Sequence, residues 1–533
     1  MKHPLLYQVN TRVFLQERGV ALNRAATLDD VPDAFIDDVA ARGFTWIWWL
    51  GVWQTGAVGR DISRSDAKLR AEFQRELDDL RRNPRTGSEP PAMGSVEQSS
   101  TSPDAKLRDQ DITGSPFAIT AYRVHDDFGG DGALRRLRER LARRGLKLLL
   151  DFVPNHTARD HRWVEEHPEY YVHGSDDDLA RQPQNYARVP ARRRGGADTI
   201  LAYGRDPYFD GWSDTFQLNY RHAGFRETQI AELGAVADRC DGVRCDMAML
   251  LQPQIIERTW GERARPSDGS PPRDTPFWPE AIAAIRRRQP EFLFVAEVYW
   301  DMEWELQQAG FDQTYDKRLY DRLHAGEATP VREHLWADGA FQDRSLRFLE
   351  NHDEPRAAAA FPSGMHEAAA VVAFTARGLR FFHEGQLEGR RVHVSMHVGR
   401  RPAEPIDERL QAFYARLLPC LSRPELHDGD WSLASCREGW AGNSTYQQFI
   451  VSSWQSGERR LIVAVNYGPT QAQTYAMFTM PGLRGRDFTL VDLMSDARYR
   501  RAGDELVVTG LYLDLPAWGF NVFEVQPAIG SPA

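Results

Sequence analysis

Four short segments, DFVPNHT (151–157), DGVRCDMAML (241–250), FLFVAEVYW (292–300) and RFLENHDEPR (347–356), each run from apolar, strand-like residues into an acidic or histidine-bearing cluster. If their strands are parallel members of one barrel, the polar groups arrive together at one end, where carboxylates from different strands do chemistry. Asp246 follows GVRC, and Arg244 lies two residues earlier on the same strand face, placed to hold it ionised through a charge-assisted pair. Taken alone, that segment also fits a buried structural Arg–Asp pair. Glu297 closes the apolar run FLFVA beside Val298, Tyr299 and Trp300, where burial would raise its pKa, as an acid working near neutrality requires. A lone Glu at a strand end is more often a solvated terminus, so Glu297 draws its meaning from its partners.

In order and spacing the four segments closely resemble the short motifs of the α-amylase family of glycoside hydrolases, family 13. The resemblance runs from about residue 4 to the C-terminal domain. It implies that Asp246 is a nucleophile, Glu297 an acid/base and Asp353 a third carboxylate that holds sugar hydroxyls and helps distort the ring. His156 and His352 match two histidines that donate hydrogen bonds to the reacting sugar, and Tyr122, in ITAYRVHDDFGG, matches approximately the aromatic platform beneath it. Arg244, Tyr122, His156 and His352 are therefore the expected substrate-binding set, with Asp151 and Asn155 as bracing architecture. Retaining cleavage needs two carboxyls only about 5–5.5 Å apart, which neighbouring strand ends can supply. The implied function is a retaining α-glycoside hydrolase acting on α-glucans or maltooligosaccharides through a covalent glycosyl-enzyme. The alternative is an α-glucosidase or transglycosylase acting on small α-glucosides. A non-catalytic carbohydrate-binding relative is a third reading, but such a protein would be expected to lack one of the three carboxylates.

The pattern departs from the family at Met249 and Leu250, where many amylases carry a Lys-His pair used in sugar contacts and near a structural calcium. Asn155, often a calcium ligand in relatives, is present, yet no EF-hand-like spacing occurs in 158–222. The expectation is therefore no required cofactor and no assigned metal site, a structural calcium being possible without support from the residues.

Positioning these side chains calls for an α/β fold. Strand-like LLYQVNTRVF (5–14), WIWWLGVW (46–53), LKLLLDFV, GVRCD, FLFVAEV, FDQTYD, SLRFLEN and GLRFF alternate with helical stretches near 31–42, 131–144, 225–239, 277–289, 302–309 and 367–376. That count predicts a (β/α)8 TIM barrel over 1–157 and 223–420. The polar, aromatic stretch 158–222 reads as a small domain B inserted after the third strand. From 425 to 530, WSLASC, QQFIVSSW, RRLIVAVNYG, DFTLVDLM, ELVVTG and FNVFEVQ predict a C-terminal antiparallel β-sandwich. Residues 84–105, rich in Pro, Ser, Gly and Glu, cannot bury a core and predict a disordered insertion.

At 533 residues with 42% hydrophobic and 11% aromatic content, including 15 Trp, the chain can fill a large core and still offer flat surfaces to sugar rings. A net charge of −10, from 66 basic and 76 acidic residues, invites neither nucleic acid nor anionic lipid, so the expected partner is a carbohydrate; oligomeric state is left open. Cys240, Cys245, Cys420 and Cys436 have no metal-ligand spacing and read as free core thiols. The start MKHPLLYQVNTRVF lacks a secretory h-region, which with the thiols points to the cytoplasm.

Overall fold

The structure, a computed structural model, describes residues 2–82, 107–191 and 198–528. Eight parallel strands close into a barrel: β1 (Leu5–Asn10), β2 (Trp46–Leu50), β3 (Lys147–Phe152), β4 (Gly242–Cys245), β5 (Leu293–Ala296), β6 (Gln313–Tyr315), β7 (Ser345–Arg347) and β8 (Leu379–His383). Each pairs with its sequence neighbours, and β1 pairs with β8 to complete the circle. Every residue of β1 and β2 is buried, which is why WIWWL is apolar without alternation: helices cover the outside while side chains fill the inside.

The strand expected over 5–14 stops at Asn10. Its side-chain oxygen accepts the Val13 N–H at 3.3 Å and caps the helix α1 (Thr11–Leu22), so the apolar residues Val13, Phe14 and Leu15 belong to a helix. Two further helices, α2 (Ala57–Ser65) and Ala67–Arg82, follow β2. The insertion predicted at 84–105 lies outside the described residues.

Between β3 and β4, short strands pair as His156–Ala158 with Thr215–Gln217 and Tyr186–Val189 with Thr199–Ala202. They enclose a small core of Val172, Tyr186, Ile200 and Ala202, closed from the barrel side by Trp260. Beyond the helix Glu408–Leu421, which the sequence reading did not place, two antiparallel sheets follow. One has six strands: β9 (Asp430–Leu433), β11 (Phe449–Ser456), β12 (Arg459–Asn466), β14 (Asp487–Asp492), β15 (Arg498–Ala502) and β17 (Phe520–Pro527). The other has three: β10 (Ser435–Glu438), β13 (Ala472–Met477) and β16 (Leu511–Leu515). A core of Phe449, Ile462, Leu490, Leu511 and Phe523 lies between them. ELVVTG, expected as a strand, forms the helix Gly503–Val508: Asp504 and Glu505 favour its N-terminal turn, and Val508 stays exposed. The six-stranded sheet docks on the barrel through Trp454, whose indole N–H donates to the Thr375 carbonyl at 2.8 Å.

Candidate active site

The barrel register brings the predicted carboxylates together. Cys245 pairs with Phe152 on one side and with Ala296 on the other, so one step further along the ladder Asp246 and Glu297 stand side by side. Their backbones extend the ladder, Asp246 N–H to Phe152 O at 2.8 Å and Glu297 N–H to Cys245 O at 3.1 Å. Both side chains are buried.

Arg244, 1% exposed, lies between them. One terminal nitrogen reaches Asp246 Oδ1 at 2.6 Å and the other Glu297 Oε2 at 2.7 Å. The expected Arg244–Asp246 pair is thus one half of a bridge whose second half the sequence did not disclose. The guanidinium is packed among the rings of Trp48, Phe117 and Tyr315, 5.3–6.0 Å from their centroids.

Glu297 has a pKa raised from 4.5 to about 7. Burial is the main cause; Arg244 opposes it, the neighbouring charges of Asp246 and Asp353 add to it, and the Met247 N–H opposes it. That N–H donates to Oε2 at 2.7 Å because Met247 turns into the left-handed region, φ 42°, directly after Asp246. Oε1 accepts from the Tyr299 hydroxyl at 2.9 Å. Oε2 is therefore occupied by a fixed cation and a backbone donor, and Oε1 is the oxygen that can carry a proton.

Asp353, 43% exposed on its side chain, has Oδ2 3.1 Å from His352 Nε2. The Gln8 amide at 3.1 Å from His352 Nδ1, assigned as donor, leaves the ring proton on Nε2, toward Asp353. Burial holds His352 and His156 below the usual histidine pKa, so both are neutral hydrogen-bonding groups at pH 7. His156 lies against Trp212 of the inserted segment, ring centroids 5.2 Å apart. Asp151 accepts from Trp48 Nε1 and the Gly51 N–H, tying β3 to the loop after β2.

Tyr122 is not part of this cluster. Its ring stacks on Phe152 and meets Trp53 edge-on, and its hydroxyl is bonded to the Val153 backbone. Phe117, five residues earlier, does lie beside Arg244 and His352, 5.6 Å from the His352 ring, as does Trp48. The phenol's bonds to the Val153 backbone make Tyr122 a brace between its own strand and the segment after β3.

Met249 and Leu250 are buried in the 3₁₀ turn Ala248–Leu251 and point into the core. Asn155 Oδ1 accepts from Gln217 Nε2 at 2.9 Å, which leaves one of its two lone pairs. No group of three or more His, Cys, Asp or Glu suited to a metal occurs among the described residues. The four cysteines are free, three of them buried.

A parallel eight-stranded barrel with three acidic residues and two histidines at its strand ends defines a glycoside-hydrolase-type scaffold. Residues 117–404 match the family model of the α-amylase catalytic domain, and the chain belongs to the α-amylase family. It is similar to the α-amylase MalA of Haloarcula japonica, 28% identical over 307 residues covering 56% of this chain and 39% of that one. It is also similar to the α-1,4-glucan:maltose-1-phosphate maltosyltransferase of Rhodospirillum rubrum, 24% identical over 248 residues, 45% of this chain and 30% of that one. The matched stretches thus span well under two thirds of these relatives. Among solved structures, the fold is like that of a noncanonic maltogenic α-amylase, AmyB, from Thermotoga neapolitana, with TM-score 0.66, 16% identity and 99% of each chain covered. No described helix is long and apolar enough to cross a membrane.

Proposed function

We propose that the chain is a retaining α-glycoside hydrolase acting on α-glucans or maltooligosaccharides. Asp246 attacks the anomeric carbon while Glu297 protonates the departing oxygen from Oε1; water then enters at the anomeric carbon, giving its proton to Glu297 as Asp246 leaves. The observation that carries this reading is the Arg244 bridge. One guanidinium touching both carboxyls fits the short separation that retention needs, and burial keeps Glu297 able to hold a proton. Asp353 and His352 are suited to sugar hydroxyls, His156 to the opposite wall, and Phe117 to the sugar face. Asp246→Asn or Glu297→Gln should abolish release of reducing sugar from maltooligosaccharides; near wild-type turnover by either variant would sink the assignment.

A second reading, transfer to a sugar acceptor, draws support from the maltosyltransferases among the relatives and from the absence of the Lys-His pair at Met249 and Leu250. Longer products appearing early from maltooligosaccharides would favour it, and only shorter ones would favour hydrolysis. The free thiols support a reducing compartment, the cytoplasm.

A further inference from the structure

A cavity of about 1150 Å³ opens between α1, α2 and the segments 108–113, 125–128 and 399–400, and none of the carboxylates or histidines of the candidate site lines it. Six arginines do: Arg12, Arg24, Arg60, Arg64, Arg108 and Arg400. In a chain of net charge −10 this is a local reversal of sign. Arg24 is paired with Asp30, and Arg108 and Arg400 share Asp111. Of the other lining acids, Asp126 is paired with Arg123, and Asp127 is 84% exposed.

Three guanidinium groups remain. Arg12, 8% exposed, donates only to neutral oxygens: Thr113 Oγ1 at 3.1 Å, the Gly114 carbonyl at 2.5 Å and Thr55 Oγ1 at 3.0 Å. Arg64 donates through Nε to the Ile112 carbonyl at 3.2 Å. Among the described residues, neither Arg12 nor Arg64 has a carboxylate within ion-pair distance, and Arg60 has only Asp61 at 4.0 Å. Arg12 alone would read as a brace between α1 and two loops. Arg60 and Arg64 alter that reading: four residues apart on α2, they put like charges on one helix face, which costs helix stability without a folded partner to offset it.

We propose that this cleft binds a phosphorylated sugar, its phosphoryl group held by Arg12, Arg60 and Arg64. A tetrahedral dianion offers oxygens in several directions to guanidinium groups arriving from two helices, whereas a single planar carboxylate is satisfied by one fork. The cavity is far larger than a phosphate ion, and Gln16 and Asn23 on its wall offer donors and acceptors suited to sugar hydroxyls.

The test is calorimetric titration of the full chain at constant ionic strength with glucose 1-phosphate, glucose 6-phosphate, inorganic phosphate, sulfate and maltose. The expected result is saturable one-site binding of a phosphorylated sugar, at least about tenfold tighter than inorganic phosphate or sulfate and weakened at least about tenfold in R60Q/R64Q. That double variant should not lower the melting temperature, since it relieves the like-charge pair on α2, and Asp246→Asn should keep the binding, which separates the cleft from the candidate active site. The proposal is overturned if neither sugar phosphate binds saturably, if binding survives R60Q/R64Q, if Asp246→Asn abolishes it, or if inorganic phosphate binds as tightly as the sugar phosphates.

Discussion

Arg244 and Tyr299 share out the two oxygens of Glu297, and the consequence can be measured. The Tyr299 hydroxyl donates to Oε1 and favours the ionised form, so its removal raises a pKa that already lies near 7. Tyr299→Phe should move the alkaline limb of kcat/KM upward by about 0.5–1 pH unit, because the general acid stays protonated to higher pH. A pH–rate profile checks this, and an unmoved or lowered limb would remove Tyr299 from the account. The same carboxyl links stability to pH. Its folded-state pKa is raised, so the folded protein binds more protons than the unfolded chain between about 4.5 and 7, and stability falls as pH rises through that window. Glu297→Gln, which cannot ionise, should raise the melting temperature relative to wild type by roughly 1–3 °C at pH 8, with little difference below pH 4.5. Equal melting temperatures at both pH values would contradict it.

The ladder of the barrel, more than any single motif, determines what these residues can do. Asp246 and Glu297 were legible because each ends an apolar run, and the pairing of β4 with β5 makes them neighbours. The bridge by Arg244 was only half legible, since the alternation of a strand shows which side chains share a face but not which neighbour a guanidinium will reach. Phe117 was missed for a related reason: it lies in a loop ahead of the strand Ile119–Val124, where no periodicity fixes direction, while Tyr122 sits in the strand that carried the recognisable motif. Asn10 shows the same limit, because a capping residue inside an apolar stretch converts a long strand into a strand and a helix. The turn after β4 makes a prediction of its own. Met247 occupies the left-handed region, where a β-branched side chain is strongly disfavoured, and its N–H is committed to Glu297. Met247→Val should cost about 1–2 kcal/mol of stability and lower kcat, whereas Met247→Gly should retain both more nearly; thermal unfolding and steady-state kinetics distinguish them. A valine variant as stable and active as wild type would show that the turn tolerates other conformations.

At the scale of the molecule, the barrel places the site at its carboxyl-terminal face, the segment after β3 walls it through Trp212, and the C-terminal sheets buttress the barrel from its helical side. The barrel and the paired sheets were readable from the sequence because strand and helix periods alternate and then give way to strands alone. Calcium dependence was not readable, because the Asn155–Gln217 hydrogen bond is a contact no sequence spacing discloses. Prolonged dialysis against a chelator should leave the melting temperature unchanged to within about 1 °C, where loss of a structural cation would lower it by far more. The central claim is that Asp246 forms a covalent bond to the anomeric carbon. Its most direct test is intact-mass and peptide mass spectrometry after reaction with an activated fluorosugar of α configuration. One glycosyl adduct is expected, on the peptide carrying Asp246 and absent from Asp246→Asn; an adduct on another residue, or turnover of maltooligosaccharides to β-configured products, would contradict a covalent role for Asp246.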